Sequence, residues 1–66
     1  SGQQKAQRIL QVIQSLPPEQ REAFVMQQES GMSLDQIGQA TGVGRETVKS
    51  RLRYALAKLR QELSDV

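Results

Sequence analysis

Helix-breaking residues divide this chain into four segments. They are prolines at positions 17 and 18 and glycines at positions 31 and 42. A proline disfavours helical geometry in the residue before it, and glycine adopts the left-handed conformation that often ends a helix. Between these residues, apolar side chains recur at spacings of three and four, and no segment alternates as a strand does. The sequence therefore predicts an all-α fold, a small four-helix domain without strands.

The first two predicted helices lie on either side of the proline pair. One covers residues 3–16, and the next runs from about Pro18 to Ser30, where Gly31 ends it. Each helix has an apolar face that we expect in the core. The predicted core residues are Ala6, Ile9, Leu10, Ile13 and Leu16 of the first helix and Ala23, Phe24 and Met26 of the second.

The second pair of helices predicts a helix-turn-helix. Ser33 and Gln36 form a capping-box pattern that begins a short helix over about 34–40. A turn over 41–43 follows, with its glycine in the left-handed conformation and its valine packed into the core, and a long helix covers about 45–63. The core stripe predicted for this last helix is Val48, Leu52, Ala55, Leu56, Leu59 and Leu63.

Length and composition limit the functions that this chain can perform. Sixty-six residues allow one domain, which we expect over 3–66, and Ser1-Gly2 is interpreted as the remnant of a cleaved expression tag. The absence of Cys and His excludes thiolate zinc sites, disulfides, a cysteine nucleophile and an imidazole base, so we expect no enzyme, cofactor or metal. No stretch approaches the ~20 apolar residues of a membrane span, and we expect a cytoplasmic protein with no small-molecule substrate.

Positive charge gathers at the C-terminal end. Residues 45–66 hold six of the nine Lys and Arg residues but only three of the seven Asp and Glu residues. A short helix, a glycine turn and a long basic helix are the layout of a DNA-reading motif, in which the second helix enters the major groove. The charge distribution therefore favours a polyanionic partner for the last helix.

One face of the last helix lacks any apolar side chain that must be buried. Opposite the core stripe lie Glu46, Ser50, Arg53 and Ala57, flanked by Lys49 and Tyr54. Arg and Lys suit guanine, Ser suits either base and Glu suits the cytosine amino group. Backbone amides at 44–47, and those at Ser33 and Leu34, are candidate phosphate sites. The alternatives are that the basic helix is only a solvated face, and that Glu46 only complements the helix dipole.

The runs LPPEQREAF at 16–24, GMSLDQIGQATGV at 31–43 and GRETVKSRLRYALAKLRQEL at 44–63 resemble region 4 of sigma-70 family transcription initiation factors. TVKSRL followed by ALAKLR is the most specific part, and it resembles the extracytoplasmic-function group. The resemblance implies the winged-helix-like, sigma region 4 type of helix-turn-helix fold, recognition of the promoter -35 element, and docking on the beta-subunit flap of RNA polymerase.

The resemblance also implies individual contacts. Gly44 stands where the family usually has a Ser or Thr cap, Arg45-Glu46 is closer to the primary sigma pattern, and Tyr54 occupies a position where related factors often carry a cation. The expected DNA-binding residues are Arg45, Glu46, Thr47, Lys49, Ser50, Arg53 and Tyr54, with phosphate contacts from Ser33, Gly44 and Arg51.

Other functions remain open from the sequence. Response-regulator-type transcription regulators end in a similar four-helix domain, although SRLRYALAKLR fits the sigma pattern better. A sigma-like decoy that captures an anti-sigma factor is a second alternative, but such mimics tend to lose the basic residues that this chain keeps at 45, 49, 51 and 53. An anti-sigma factor is also a possible partner of a true region 4, and nucleoid association follows from DNA binding.

Overall fold

Four helices form between the proline and glycine breaks. In the computed structural model, which describes residues 2–64, they are α1 (Gly2–Ser15), α2 (Pro18–Gln28), α3 (Leu34–Thr41) and α4 (Arg45–Leu63). No strand occurs over that range, so the all-α prediction is confirmed. Every predicted helix end lies within two residues of the observed one. Ser1, half of the expected tag remnant, and the last two residues of the expected domain lie outside the described residues.

The helix ends show the local causes that the sequence predicts. Pro18 is the first residue of α2, where its missing N–H costs nothing, and Glu19 lies in the same first turn. Gly31 and Gly42 both take positive φ, at 63° and 77°, and they reverse the chain after α2 and α3. Ser33 caps α3 through a complete capping box with Gln36.

The core forms around α4, which packs against each of the other three helices. Ile37 and Val48 are fully buried, and both lie in a cluster with Ala23 and Leu52. Phe24, Met26 and Val43 are partly buried against that cluster. The core predictions for α2, for the turn and for most of α4 are therefore confirmed. The prediction that Leu56 lies in the core is wrong, because its side chain is 38% exposed. The eight-residue helix α3 is too short to cover Leu56, and Leu34 only borders it across a shallow groove.

The predicted apolar face of α1 is only partly buried. Val12, which the prediction omitted, is buried together with Leu16, whereas Ile9 and Leu10 remain 40% and 58% exposed. Ala6 is also exposed, and Ile13 is half-buried. The reason is that α1 packs chiefly on one neighbour, α4, and a single helix covers a narrower stripe than the apolar arc of α1.

A glycine inside α3 allows the turn to α4 to pack closely. The backbone N–H groups of Gly42 and Val43 both donate to the carbonyl oxygen of Gly38, at 2.8 and 3.0 Å. A Cβ at position 38 would lie 2.7 Å from the Val43 carbonyl oxygen. None of the predictions made from the sequence concerns Gly38, although an isolated glycine within a helical pattern is a known sign of close backbone approach.

We expect Gly38→Ala to lower the free energy of unfolding by about 1–3 kcal/mol, because the added methyl group meets turn backbone that cannot move aside cheaply. Urea denaturation followed by circular dichroism measures the change. Gln39→Ala, at the exposed neighbouring position of the same helix, is the matched control and should change stability by less than about 0.5 kcal/mol. Equal stabilities of the two variants would contradict the close contact.

Candidate nucleic-acid interface

The exposed surface of α4 lies opposite its core stripe. Val48, Leu52, Ala55 and Leu59 face inward, and at about 100° per residue the opposite arc runs through Glu46, Ser50, Arg53, Tyr54 and Ala57. The candidate site residues that are exposed on α4 are Arg45, Glu46, Thr47, Lys49, Arg53 and Tyr54. Ser50 and Arg51 are half-buried. The packing of α4 therefore presents most of the predicted contact residues to solvent.

Arg53 lies on the side of this surface that faces α3. One of its guanidinium nitrogens is 3.4 Å from the Ser50 hydroxyl oxygen, and its Cζ atom is 6.0 Å from the centroid of the Tyr54 ring. The hydrogen bond is long and the ring contact is exposed, so both restrain the side chain only weakly. None of the described carboxylates forms an ion pair with Arg53. Its charge and most of its five donors are therefore available to a partner.

The two cations nearest the start of α4 are already paired. Arg45 Nη1 lies 3.4 Å from Asp35 Oδ2 of α3, and Lys49 Nζ lies 3.7 Å from Glu46 Oε2 one turn away. All four side chains are more than half exposed, so these pairs are weak and can exchange for another anion. The free protein thus shows less positive charge at this end of α4 than its sequence indicates.

The cations of α4 lie on both sides of the exposed arc. The groove between Leu34 and Leu56 is lined by Lys49, Arg53 and Arg60, which places these cations toward α3. Arg51 follows Lys49 by two residues and therefore projects about 200° away, from the other side of the helix. A helix with cations along both sides of a neutral or mixed centre suits a groove that has a phosphate backbone on each edge.

The N-terminal ends of α3 and α4 differ in the amides that they offer. The Ser33 amide donates to Gln36 Oε1 at 2.8 Å, and the Gln36 amide donates to Ser33 Oγ at 3.1 Å. The capping box therefore already occupies the Ser33 amide, which the sequence predicts as a phosphate contact. At α4, by contrast, Gly44 is extended and provides no side-chain cap, so the first-turn amides keep their capacity for an anion.

Asp35 is the residue of this surface that the sequence analysis missed. It belongs to the first turn of α3, ten residues before Arg45, and only the packing of the helix-turn-helix brings the two side chains together. The apolar groove beside it was also missed, because Leu56 was assigned to the core. No group of metal-ligating side chains occurs within residues 2–64, and none of the helices described there is long and apolar enough to cross a membrane.

Comparison with known proteins identifies relatives of this chain. A family model described as Sigma-70, region 4 matches residues 6–59. RNA polymerase sigma-E factor of Streptomyces coelicolor is 40% identical over 55 residues, which cover 83% of this chain and 31% of that protein. The proteins of the same name from Streptomyces avermitilis and Streptomyces antibioticus are each 38% identical over 65 residues, or 96% of this chain and 36% of theirs.

These relatives are longer proteins, and the chain spans about a third of their length. No solved structure gives a significant match to it. The similarity therefore concerns one region of the relatives, and the region includes the whole helix-turn-helix.

We expect Ser33→Ala to destabilise the domain by about 1 kcal/mol, because it removes the hydroxyl that caps α3 and positions the start of the helix-turn-helix. The change is measured by thermal unfolding with circular dichroism. Ser30→Ala is the control, since Ser30 is exposed and precedes the helix without capping it. If Ser33→Ala is as stable as this control, the capping box contributes nothing to the fold.

Proposed function

The chain belongs to the sigma-70 family, as a region 4 of the extracytoplasmic-function type, and from this we propose that it binds the promoter -35 element as the C-terminal domain of a sigma factor. The observation that carries the proposal is Arg53, a cation that no described carboxylate neutralises, on an exposed α4 surface that has no role in the core. In the parent protein this contact would help to direct RNA polymerase to its start sites. The domain acts by binding, not by catalysis.

The proposed docking places α4 in the major groove with α3 lying across the phosphate backbone. Arg45, Lys49 and Arg53 can donate to guanine, and Glu46 can accept from the cytosine amino group. Ser50 can contact either base, and Tyr54 extends the same surface by one turn. These assignments follow from side-chain chemistry and, for all of them except the half-buried Ser50, from exposure.

Phosphate contacts would hold the helix in register without choosing a sequence. Arg51 and Thr47 lie on the side of α4 away from α3, and Gly44 offers the uncapped amides at the helix start. Ser33 borders the other backbone, where the Leu34 amide is free of the capping box that engages Ser33 itself. Contacts on both sides of α4 support simultaneous binding to the phosphate backbones of both DNA strands.

The proposed partners beyond DNA come from the family. We infer docking on the beta-subunit flap of RNA polymerase and, in the parent protein, capture by an anti-sigma factor. The place of action would be the cytoplasm, at the nucleoid. The domain is small, and Arg45 and Lys49 near the start of α4 are already paired with carboxylates, so we expect it to bind DNA weakly alone. Its affinity in the cell would then depend on the polymerase and on other domains of the protein.

We expect Arg53→Ala to lower affinity for the preferred duplex and to relax base preference at one position, with a cost of about 1–3 kcal/mol if the contact to guanine is bidentate. Fluorescence anisotropy against a panel of singly substituted duplexes measures both effects. Arg60→Ala is the matched control, because Arg60 is also exposed and unpaired within the described chain but lies about two turns further from the helix start. A uniform loss across the panel for Arg53→Ala would remove it from base recognition, and a selective loss for Arg60→Ala would mean that the helix docks differently.

Selection of bound sequences from a random duplex library, at two salt concentrations, tests the proposed function itself. An enriched short motif that persists at the higher salt is the expected result, because base contacts depend on salt less than phosphate contacts do. Binding without any sequence preference would contradict promoter recognition and favour the protein-binding decoy role.

A further inference from the structure

We propose that Asp35 is a specificity-determining residue of this surface: its carboxylate is an internal counterion that restrains Arg45 and limits binding to DNA that lacks the preferred sequence. The inference rests on the proposed function, since it concerns how the same surface selects its DNA. It assigns Asp35 no direct contact with a base.

The geometry places the carboxylate where it can compete with DNA. Asp35 Oδ2 lies 3.4 Å from Arg45 Nη1, and the pair joins the first turn of α3 to the first residue of α4. The Asp35 side chain is 69% exposed and that of Arg45 is 56% exposed, so neither charge is held by burial. A phosphate that approaches the start of α4 therefore meets an arginine that already has an anionic partner.

The backbone under Asp35 is firmly positioned. The capping box of Ser33 and Gln36 holds the first turn of α3, and Ile37, two residues after Asp35, is fully buried. At the other end of α3, Gly38 anchors the turn into α4 through two hydrogen bonds. The distance between the Asp35 and Arg45 backbones is therefore set by the fold, which keeps the two side chains within reach of each other.

The counterion should affect the two modes of DNA binding unequally. In non-specific binding Arg45 serves only as a cation for phosphate, and to use it DNA must displace a carboxylate that itself repels the phosphate. In specific binding Arg45 can point along the groove toward a base edge while it remains within reach of Asp35, which then restricts its orientations. The carboxylate therefore disfavours non-specific binding more than specific binding, which raises the ratio of specific to non-specific affinity.

The experiment compares Asp35→Asn with a variant of equal charge change. Glu22→Gln provides the control, because Glu22 is an exposed carboxylate of α2 that forms no ion pair with any of the described residues. Kd is measured by anisotropy for the library-selected duplex and for a scrambled duplex over a range of salt concentrations. Thermal unfolding of each variant confirms that the binding temperature lies below its transition.

We expect Asp35→Asn to bind the scrambled duplex about two- to fivefold more tightly than Glu22→Gln does, with a smaller change for the selected duplex. For the scrambled duplex, the slope of the logarithm of affinity against the logarithm of salt concentration should become steeper, by an amount that approaches one additional phosphate contact. Asp35→Glu keeps the charge and should restore most of the selectivity.

A double variant shows whether the effect passes through Arg45. In an Arg45→Gln background, the further change Asp35→Asn should alter binding no more than Glu22→Gln does in that background. An undiminished effect there would overturn the inference, and so would equal behaviour of Asp35→Asn and Glu22→Gln in the native background. Either result leaves promoter recognition standing if the native protein still selects a sequence. If the native protein selects none, the proposed function and this inference both fail.

Discussion

The packing of one side of α4 against the other three helices is the interaction on which the rest of this small structure depends. Val48, Leu52, Ala55 and Leu59 bury that side, and Ile37 of α3 completes the centre of the core. Because each of the other three helices packs more extensively on α4 than on any other helix, α4 is at once the structural centre and the proposed reading helix. The inward stripe also determines which residues point outward, so the contact surface is a direct consequence of core packing.

The close approach of the α3–α4 turn to Gly38 determines how α3 contributes to the proposed DNA-binding surface. A turn seated against helix backbone leaves little freedom in the angle between α3 and α4. That angle brings the first turn of α3 beside the first turn of α4, and it places Asp35 next to Arg45. Gly38, a residue without a side chain, thus helps to position the Asp35–Arg45 ion pair although it takes no part in that pair.

Charge on the proposed DNA-binding surface is more balanced than the basic composition of α4 indicates. Arg45 and Lys49 are paired with Asp35 and Glu46, whereas Arg53 has only weak contacts with Ser50 and Tyr54. Such a surface attracts DNA modestly and leaves a larger share of the binding free energy to base contacts. Low affinity and high selectivity are the properties that the proposed role, in which the domain acts together with the polymerase, would require.

The sequence alone determined the helices, their ends and the helix-turn-helix, because prolines, glycines and the Ser33 cap act on the backbone within a few residues of their own positions. It also identified the outward arc of α4, since that arc is the opposite of a regular apolar stripe, although the DNA contacts assigned to it remain predictions. Only the tertiary structure decided that Val12 is buried while Ile9 and Leu10 are exposed, that Leu56 borders a groove, and that Asp35 meets Arg45. Those outcomes depend on how many helices surround a position and at what angle they pack, and periodicity within one helix contains neither.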